Sequence, residues 1–271
     1  MSEELTSNLT KEALKKMFTE NKRFDGRTLL DLRDFEITYE ISNKAEGSAR
    51  IKMGKTDVVV GIKMEIGEPY SDSPDKGNLS VSADLLPLAS PRFESGPPKF
   101  PAIELPRLVD RVIRASELID LSKLVVKEGE KVWTILVDIY PINDDGNLID
   151  ASTIAALAAL RKTVIPELDE KGKIDYSKEA KKPLPISKDV LPVSFSFYKL
   201  GNSLILDPTR EEEEACDSRI TFGVSMWNKQ CMCNSCQKIG ETMFTQEEVD
   251  KMMDILPGKL DEVSKKLKSF L

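Results

Sequence analysis

Segments in which hydrophobic and polar residues alternate form two successive groups along this chain. A helical pattern follows each group. The strands predicted from the alternation lie at residues 35–41, 48–53, 58–64 and 131–143 in the first group and at 193–199, 203–206 and 220–227 in the second. Gly47 and Gly54 mark turns in the first group, which indicates an antiparallel meander. The order of strands, helix, linker, strands and helix predicts an α+β fold with two halves of similar build.

Apolar residues with a period near 3.6 predict the helices. The predicted helices lie at residues 8–20, 104–121, 154–162 and 245–270. Asn8 or Thr10 would cap the first helix. Asp150 and Ser152 would cap the third, whose start offers an anion site and whose alanines indicate close packing on a sheet. The charged turn at residues 23–27 is expected to be solvated.

These elements predict four segments. They are an N-terminal helix at 1–22, a first half at 23–166, a charged, proline-bearing linker at 167–189 and a second half with the C-terminal helix at 190–271. Residues 71–99 are rich in Pro, Ser, Asp and Gly, so we expect a long surface loop there, with one strand at residues 79–86.

Composition narrows the classes of function. The 271 residues carry a net charge of −7 and have a pI of about 5.0, which argues against binding nucleic acid over the whole surface but allows a local basic patch. The chain contains no histidine, which excludes Ser-His and Cys-His catalysis. Because it has neither an apolar run long enough to span a membrane nor an apolar signal core, we expect a cytoplasmic protein with reduced cysteines.

Three arginines line one side of the predicted second helix. Arg107, Arg111 and Arg114 are spaced at i, i+4 and i+7, which places them in one stripe. Guanidinium groups in line suit successive phosphates, because each offers several donors in a planar fork. The alternative is a solvated face on which these arginines pair with Asp110 and Glu117.

An apolar strand that ends at Leu206 opens into an acidic turn, in which Asp207 and Pro208 precede Thr209 and four glutamates follow Arg210. Such a turn can hold a divalent metal or a general acid. It can also simply start a helix, with Thr209 and Glu212 as a capping box or with Asp207 as the cap before the proline.

The cysteines resemble a metal knuckle only in part. Cys231, Cys233 and Cys236 are close in sequence, and Cys216 would be a fourth ligand. Structural zinc sites usually take their ligands as two pairs on turns, whereas Cys216 stands alone beside a predicted strand. We therefore favour thiols beside a hairpin and predict no bound metal.

Several short motifs, in their order and spacing, make about residues 20–260 resemble the RNase PH family. The motifs are Arg23-x-Asp25-Gly26-Arg27, then Ala45-Glu46-Gly47-Ser48-Ala49 with Gly54-Lys55-Thr56, and the helical stretch Glu104-Leu105-x-Arg107-Leu108-Val109-Asp110-Arg111. The resemblance implies the RNase PH fold, with a first half like domain 2 of ribosomal protein S5 and a second α+β half. It also implies subunits that assemble into six-membered rings with a central channel for RNA.

Active members of this family cleave RNA from its 3′ end with inorganic phosphate, and they need a phosphate site, acidic side chains and a basic track. This chain departs from the family at the phosphate site and at the acidic side chains. Asp150 begins the stretch that replaces the phosphate turn, and its charge would repel a phosphate dianion. At the acidic turn Asp207 matches, but Glu213 stands where the family has a second aspartate, and the extra methylene moves the carboxylate by about 1.5 Å.

The basic track is kept, since Arg107 and Arg111 match RNA-binding positions of the family. Arg114 lies at the end of the same stripe. The pattern resembles the non-catalytic RNase PH-like subunit of the archaeal exosome. Three such subunits alternate with three catalytic ones in a hexameric ring that works with RNA-binding cap subunits. The resemblance implies single-stranded RNA as ligand, no catalytic residue, no cofactor, and a vestigial acidic site at Asp207 and Glu213.

Two other functions stay open. One is a phosphate-dependent 3′–5′ exoribonuclease in its own right, which would use Asp207 and Glu213 on Mg²⁺. The other is an acidic α+β adaptor whose arginine stripe makes salt bridges at a protein interface.

Overall fold

Two β-sheets with helices between them form the frame of the protein. The computed structural model describes residues 6–170, 172–178, 180, 182–227 and 230–270, so parts of the four predicted segments lie outside the described residues. The helices are α1 (Asn8–Thr19), α2 (Phe100–Ala115), α3 (Leu148–Arg161), α4 (Arg210–Ala215) and α5 (Gln246–Leu267). The strands are β1 (Phe35–Tyr39), β2 (Gly47–Met53), β3 (Thr56–Gly67), β4 (Asn78–Ala83), β5 (Val125–Lys127), β6 (Lys131–Asn143), β7 (Val164–Ile165), β8 (Lys182–Pro183), β9 (Leu191–Leu200), β10 (Ser203–Leu206), β11 (Ser218–Trp227) and β12 (Gln230–Gly240).

The first sheet has the strand order β1-β2-β3-β6-β4, with β5 pairing with the start of β6. Strands β1, β2, β3 and β6 run antiparallel, as the alternation predicts. Strand β4 pairs parallel with β6, because α2 carries the chain back to the same end of the sheet. Buried and exposed residues alternate along β1, so only one face of this edge is covered.

The second sheet is antiparallel, with the order β10-β9-β11-β12. All ten residues of β9 are buried, since both α3 and α5 pack against this strand. Three of the four strands are predicted from the sequence. The fourth, β12, is the cysteine-bearing segment, and it pairs antiparallel with β11, so these thiols lie within a strand of a hairpin instead of beside one. A bulge between Gly223 and Val224 interrupts its register with β11.

Helix α3 is the central element between the two sheets. Every residue from Leu148 to Leu160 is buried, and small alanines allow close contact with β2, β3 and β9. The helix starts six residues earlier than predicted. Asn147, in a left-handed conformation with φ of 56°, is its N-cap, so the prediction that Asp150 and Ser152 are caps is wrong.

Other helix ends also differ from the sequence pattern. The N-cap of α1 is Ser7, whose hydroxyl accepts from the Thr10 amide, so neither Asn8 nor Thr10 is the cap. Helix α2 begins at Phe100, because Pro101 fits the first turn, and ends before Ile119, which pairs with Ile186 instead. The predicted capping box between Thr209 and Glu212 is confirmed.

The N-terminal helix packs on the second half of the chain. Leu14 and Phe18 of α1 form a buried apolar cluster with Tyr198, Leu200 and Ile205, separate from the main core. The predicted α+β fold is thus confirmed. The N-terminal helix contacts strands from the later part of the chain. Within the described ranges no helix has the length and apolar character needed to cross a membrane.

Candidate functional site

Helix α2 brings the three predicted arginines to one exposed face. Its other side carries buried apolar residues that pack on β4, α3 and the second sheet. Arg107, Arg111 and Arg114 all lie on the exposed side, as the spacing of i, i+4 and i+7 requires. Because the helix is fixed on both of its neighbouring sheets, these three side chains project from a rigid element.

The three arginines differ in their partners. Arg114 pairs with Asp110 at 2.7 Å and donates to the backbone oxygen of Leu79 at 3.1 Å. Arg111 donates to the side-chain oxygen of Gln237 on β12. Arg107 makes no hydrogen bond or ion pair with any residue that the structure describes. The alternative of a self-paired, solvated face therefore applies to Arg114, whereas Arg107 keeps all of its donors free.

Asp207 is completely enclosed by protein donors. Arg33 donates to its two carboxylate oxygens from the backbone N, Nε and Nη2 at 2.7, 2.9 and 2.7 Å. Arg27 Nη1 and Asn147 Nδ2 add bonds of 3.0 and 2.9 Å. These five donors occupy the lone-pair positions of a carboxylate, and Asp207 has no exposed surface. Burial alone would raise the pKa of Asp207, but the hydrogen bonds and charge of Arg33 lower it below the ordinary 3.8.

Two arginines of the charged turn at residues 23–27 are part of this same network, so the prediction that the turn is solvated holds for residues 24–26 and is wrong for Arg23. Arg23 is only 2% exposed and pairs bidentately with Glu212, the buried residue of the capping box. It also donates to the backbone oxygens of Leu206 and Asp207 at 2.9 and 2.8 Å. The motif therefore ties the start of the chain to the acidic turn.

Glu213, the other acid of the turn, contacts the start of α3. Its Oε2 accepts the backbone N–H of Asn147 at 2.8 Å and so supports the start of α3. Gly146 makes this contact possible. A Cβ on Gly146 would lie 2.6 Å from the backbone oxygen of Pro208, and its φ of +84° also favours glycine. The two predicted acids thus share one partner, Asn147, which donates its side-chain amide to Asp207 and its backbone N–H to Glu213.

Glu213 also lines a cleft of about 510 Å³ that the long loop before α2 and the start of α2 enclose. Two arginines that sequence reasoning missed lie in the same cleft. Arg92 pairs with Asp144 at 2.7 Å, and Arg219 pairs with Glu104 at 2.5 Å. No periodic pattern marks either arginine, since one lies in a loop and the other within a strand.

Asp150 occupies the predicted anion site at the start of α3, but it points inward. It is 4% exposed and accepts from the hydroxyls of Ser194 and Ser196 at 2.7 and 3.0 Å and from the Ser196 amide at 3.0 Å. No cation pairs with it among these contacts. Burial raises the pKa of Asp150 to about 6, although the serine hydrogen bonds oppose this shift. The carboxyl group of Asp150 therefore faces the serines of β9 and is not presented to an external anion.

The cysteines are all free thiols in the structure. Cys231, Cys233 and Cys236 lie on β12, and Cys216 follows α4. In the described ranges no group of three or more His, Cys, Asp and Glu side chains is arranged to hold a metal ion.

Comparisons with known proteins match nearly the whole fold. The 3′ exoribonuclease family (RNase PH) matches residues 31–166 with its domain 1 and residues 191–255 with its domain 2. An exosome complex component Rrp42 from Archaeoglobus fulgidus is 44% identical over 256 residues, which covers 94% of both chains. An Rrp42 from Methanothermobacter thermautotrophicus is 40% identical over 261 residues, covering 96% of this chain and 94% of that protein.

A solved structure resembles this chain over the same range. It is the Archaeoglobus fulgidus exosome with RNA bound to the active site, one chain of which superimposes with a TM-score of 0.87. The two chains are 41% identical, and the match covers 96% of this chain and 98% of that one. The predicted RNase PH fold is thereby confirmed.

Proposed function

Because this chain belongs to the RNase PH family of 3′ exoribonucleases, we propose that it is a non-catalytic, RNA-binding subunit of an archaeal exosome-like complex. Its partner would be a catalytic RNase PH-like subunit, three copies of each alternating in a hexameric ring in the cytoplasm. Cap subunits that bind RNA would deliver single strands to this ring. The chain itself would shape the active site of its neighbour and lend arginines to the RNA.

The observation that carries the proposal is the enclosure of Asp207. A metal ligand needs a free lone pair, and a general acid must reach the substrate. Asp207 has no free lone pair, because Arg33, Arg27 and Asn147 donate to its oxygens. It also cannot reach a substrate, because no part of it is exposed. Asp150, in the stretch that replaces the phosphate turn of the family, is buried and bonded to the serines of β9. This pairing of two closed sites disfavours an exoribonuclease that uses Asp207 and Glu213.

The open arginines support the RNA-binding part of the proposal. Arg107 and Arg111 project from the same face of α2 and lie about 6 Å apart along the helix axis. The guanidinium of Arg107 is free to take phosphate oxygens in pairs, and that of Arg111 keeps further donors beside its one hydrogen bond to Gln237. Arg114 is the third member, although its pair with Asp110 leaves it fewer donors for RNA. Asp207 and Glu213 then act as a vestigial acidic site that holds turns together.

One experiment with three samples tests this function. RNA degradation is measured with phosphate and Mg²⁺ for the chain alone, for the chain mixed with a catalytic RNase PH-like partner, and for the same mixture made with Arg107→Glu and Arg111→Glu. We expect activity only in the mixture of natural proteins. The double variant should still assemble but should bind RNA about tenfold more weakly for each lost contact.

The control variant is Lys251→Glu with Lys265→Glu, which makes the same charge change on exposed positions of α5. Its ring should bind RNA like the natural one. The salt dependence gives a second readout, because loss of two phosphate contacts lowers the slope of log affinity against log salt by about 1.4. Degradation by the lone chain, or unchanged RNA affinity of the arginine variant, contradicts the proposal.

A further inference from the structure

An exposed aromatic ring continues the arginine stripe of α2. Phe100 is the first residue of the helix and is 58% exposed, and Ile103 is 48% exposed. Successive residues of an α-helix turn by about 100°, so Phe100, Ile103, Arg107 and Arg111 lie within one stripe about 80° wide. Large apolar side chains that are left in water beside free cations mark a binding surface.

Phe100 is also part of the wall of the cleft, together with Phe93 and the prolines of the preceding loop. The cations that line this cleft are all paired with carboxylates: Arg92 with Asp144, Arg219 with Glu104 and Lys99 with Glu94. The cleft therefore has no free positive charge for a phosphate. A neutral, flat heterocycle fits better, because the walls are aromatic and carboxylate oxygens such as those of Glu213 can accept its N–H groups.

We propose that a nucleobase of the bound RNA stacks on Phe100 at the mouth of this cleft, while Arg107 and Arg111 hold phosphates of the adjoining nucleotides. This inference rests on the proposed function, because it takes the strand to lie along the arginine stripe. Stacking of a base on an aromatic side chain contributes about 1–3 kcal/mol and tolerates any base, since every base has a π-face. Phe100 is thus a positioning residue for the strand, not a catalytic one.

The charges of the face favour RNA over a protein as the occupant. Arg107 has no carboxylate partner in the described part of the chain, so a protein lying on this face would have to supply one or bury an unpaired guanidinium. An RNA strand supplies a phosphate for the cation and a base for the adjoining ring. A surface that combines an exposed aromatic ring with neighbouring cations is the arrangement that proteins use to bind single-stranded RNA.

The test measures RNA binding by the ring assembled with its catalytic partner, without phosphate so that no RNA is consumed. The variants are Phe100→Leu, which removes the π-face, and Phe100→Trp, which restores it. The matched control is Phe24→Leu, since Phe24 is 56% exposed but lies outside the stripe and the cleft. The probe is an oligoadenylate with 2-aminopurine at single positions, whose fluorescence falls when the base stacks.

We expect Phe100→Leu to weaken binding by about fivefold or more. The 2-aminopurine quenching at one position should be lost, and the salt dependence should not change, because no phosphate contact is removed. Phe100→Trp should recover both signals, and Phe24→Leu should behave as the natural protein.

Unchanged affinity and quenching in Phe100→Leu would overturn the inference. If Arg107→Glu with Arg111→Glu still weakens binding in that case, only the stacking role falls and the proposed function stands. If neither variant changes RNA affinity, the proposed function falls as well. Failure of Phe100→Leu to form the ring, while the arginine variant assembles, would show that a neighbouring subunit covers this face and would also overturn the inference.

Discussion

Two buried aspartates in this protein have opposite pKa shifts because their donors differ. Asp150 and Asp207 are both almost inaccessible to water. Asp207 is paired with the guanidinium of Arg33, so its pKa is lowered despite burial. Asp150 has only neutral hydroxyl and amide donors, so burial dominates and its pKa is raised to about 6. The neutral donors around Asp150 do not offset the loss of hydration of its carboxylate.

Asp150 therefore makes the stability of the fold depend on pH. In the unfolded chain its pKa takes the ordinary value of 3.8, so the folded state binds this proton more tightly. The stability gained from the protonated form is complete below about pH 4 and is lost as the pH rises through 6. A shift of about two units corresponds to about 3 kcal/mol. The Asp150→Asn variant should not lose this stability. Above pH 7 it should therefore unfold at a higher urea concentration than the natural chain.

The measurement is urea unfolding of the natural chain and of Asp150→Asn between pH 4.5 and 8. Asp72→Asn, at an exposed position, controls for the change in net charge. If the curves of stability against pH for the natural chain and Asp150→Asn are parallel, the carboxyl group of Asp150 does not titrate in this range.

The spacing of residues in the sequence predicts part of the candidate site, but it does not predict which side chains contact one another there. The exposed face that holds Arg107 and Arg111 follows from helical periodicity, which depends only on local sequence. The enclosure of Asp207 does not follow, because Arg33 lies 174 positions away along the chain. Arg219 and Glu104 are likewise 115 positions apart. Only the folded topology brings such residues together.

At the scale of elements, two turns pack backbone against backbone beside the candidate site. One is the turn between β6 and α3, and the other is the acidic turn before α4. Gly146 in the first turn faces the backbone of residues 208–210 in the second, with no space for a side chain. This close approach of the two turns that precede α3 and α4 therefore requires a residue without a Cβ at position 146.

Gly146→Ala should destabilise the protein strongly. The new Cβ would lie 2.6 Å from the Pro208 oxygen and 2.7 Å from the Arg210 nitrogen, in addition to the strain of a φ of +84°. Gly26→Ala is a matched control, because Gly26 has a φ of +85° but no neighbour within 4 Å. We expect about 1–2 kcal/mol of destabilisation from strain in both variants and about 1–3 kcal/mol more from overpacking at Gly146. Equal midpoints of urea unfolding would contradict this packing argument.

The elements that sequence patterns failed to predict have specific physical reasons. Strand β12 is an edge strand rich in Cys, Asn, Ser and Gln, so it lacks the alternation of large apolar residues that marks other strands. The start of α3 is hidden because Leu148 and Ile149 follow Asn147 with no standard side-chain cap. The antiparallel meander and β6, by contrast, bury apolar residues with a clear period of two, and their prediction was correct.

At the scale of the whole molecule, the N-terminal helix packs against the second half of the chain. Phe18 of α1 is 2% exposed in the cluster with Tyr198 and Ile205, whereas Leu9 of the same helix is 85% exposed. The main core is continuous across both sheets through α3, so we expect the halves to unfold as one unit.

Phe18→Ala should therefore lower the stability of the first half as well. We expect a loss of about 3–5 kcal/mol, typical of a buried Phe to Ala change. The unfolding midpoint should fall equally by circular dichroism and by the fluorescence of Trp133 in a Trp227→Phe background, although Trp133 lies in the first sheet. Leu9→Ala should leave the midpoint unchanged. Separate midpoints for the two probes would show that the halves unfold independently.

The ion pair between Arg23 and Glu212 has a consequence for the synthesis of the chain. These residues are 189 positions apart, so Glu212 leaves the ribosome about 10–40 s after Arg23 at ordinary rates of translation. During that interval the segment carries an unpaired cation, and the apolar side chains of Leu14 and Phe18 lack their cluster. Residues 14–23 thus reach their native place only after residues 198–212 have been made, and the nascent chain offers chaperones this segment to hold in the meantime.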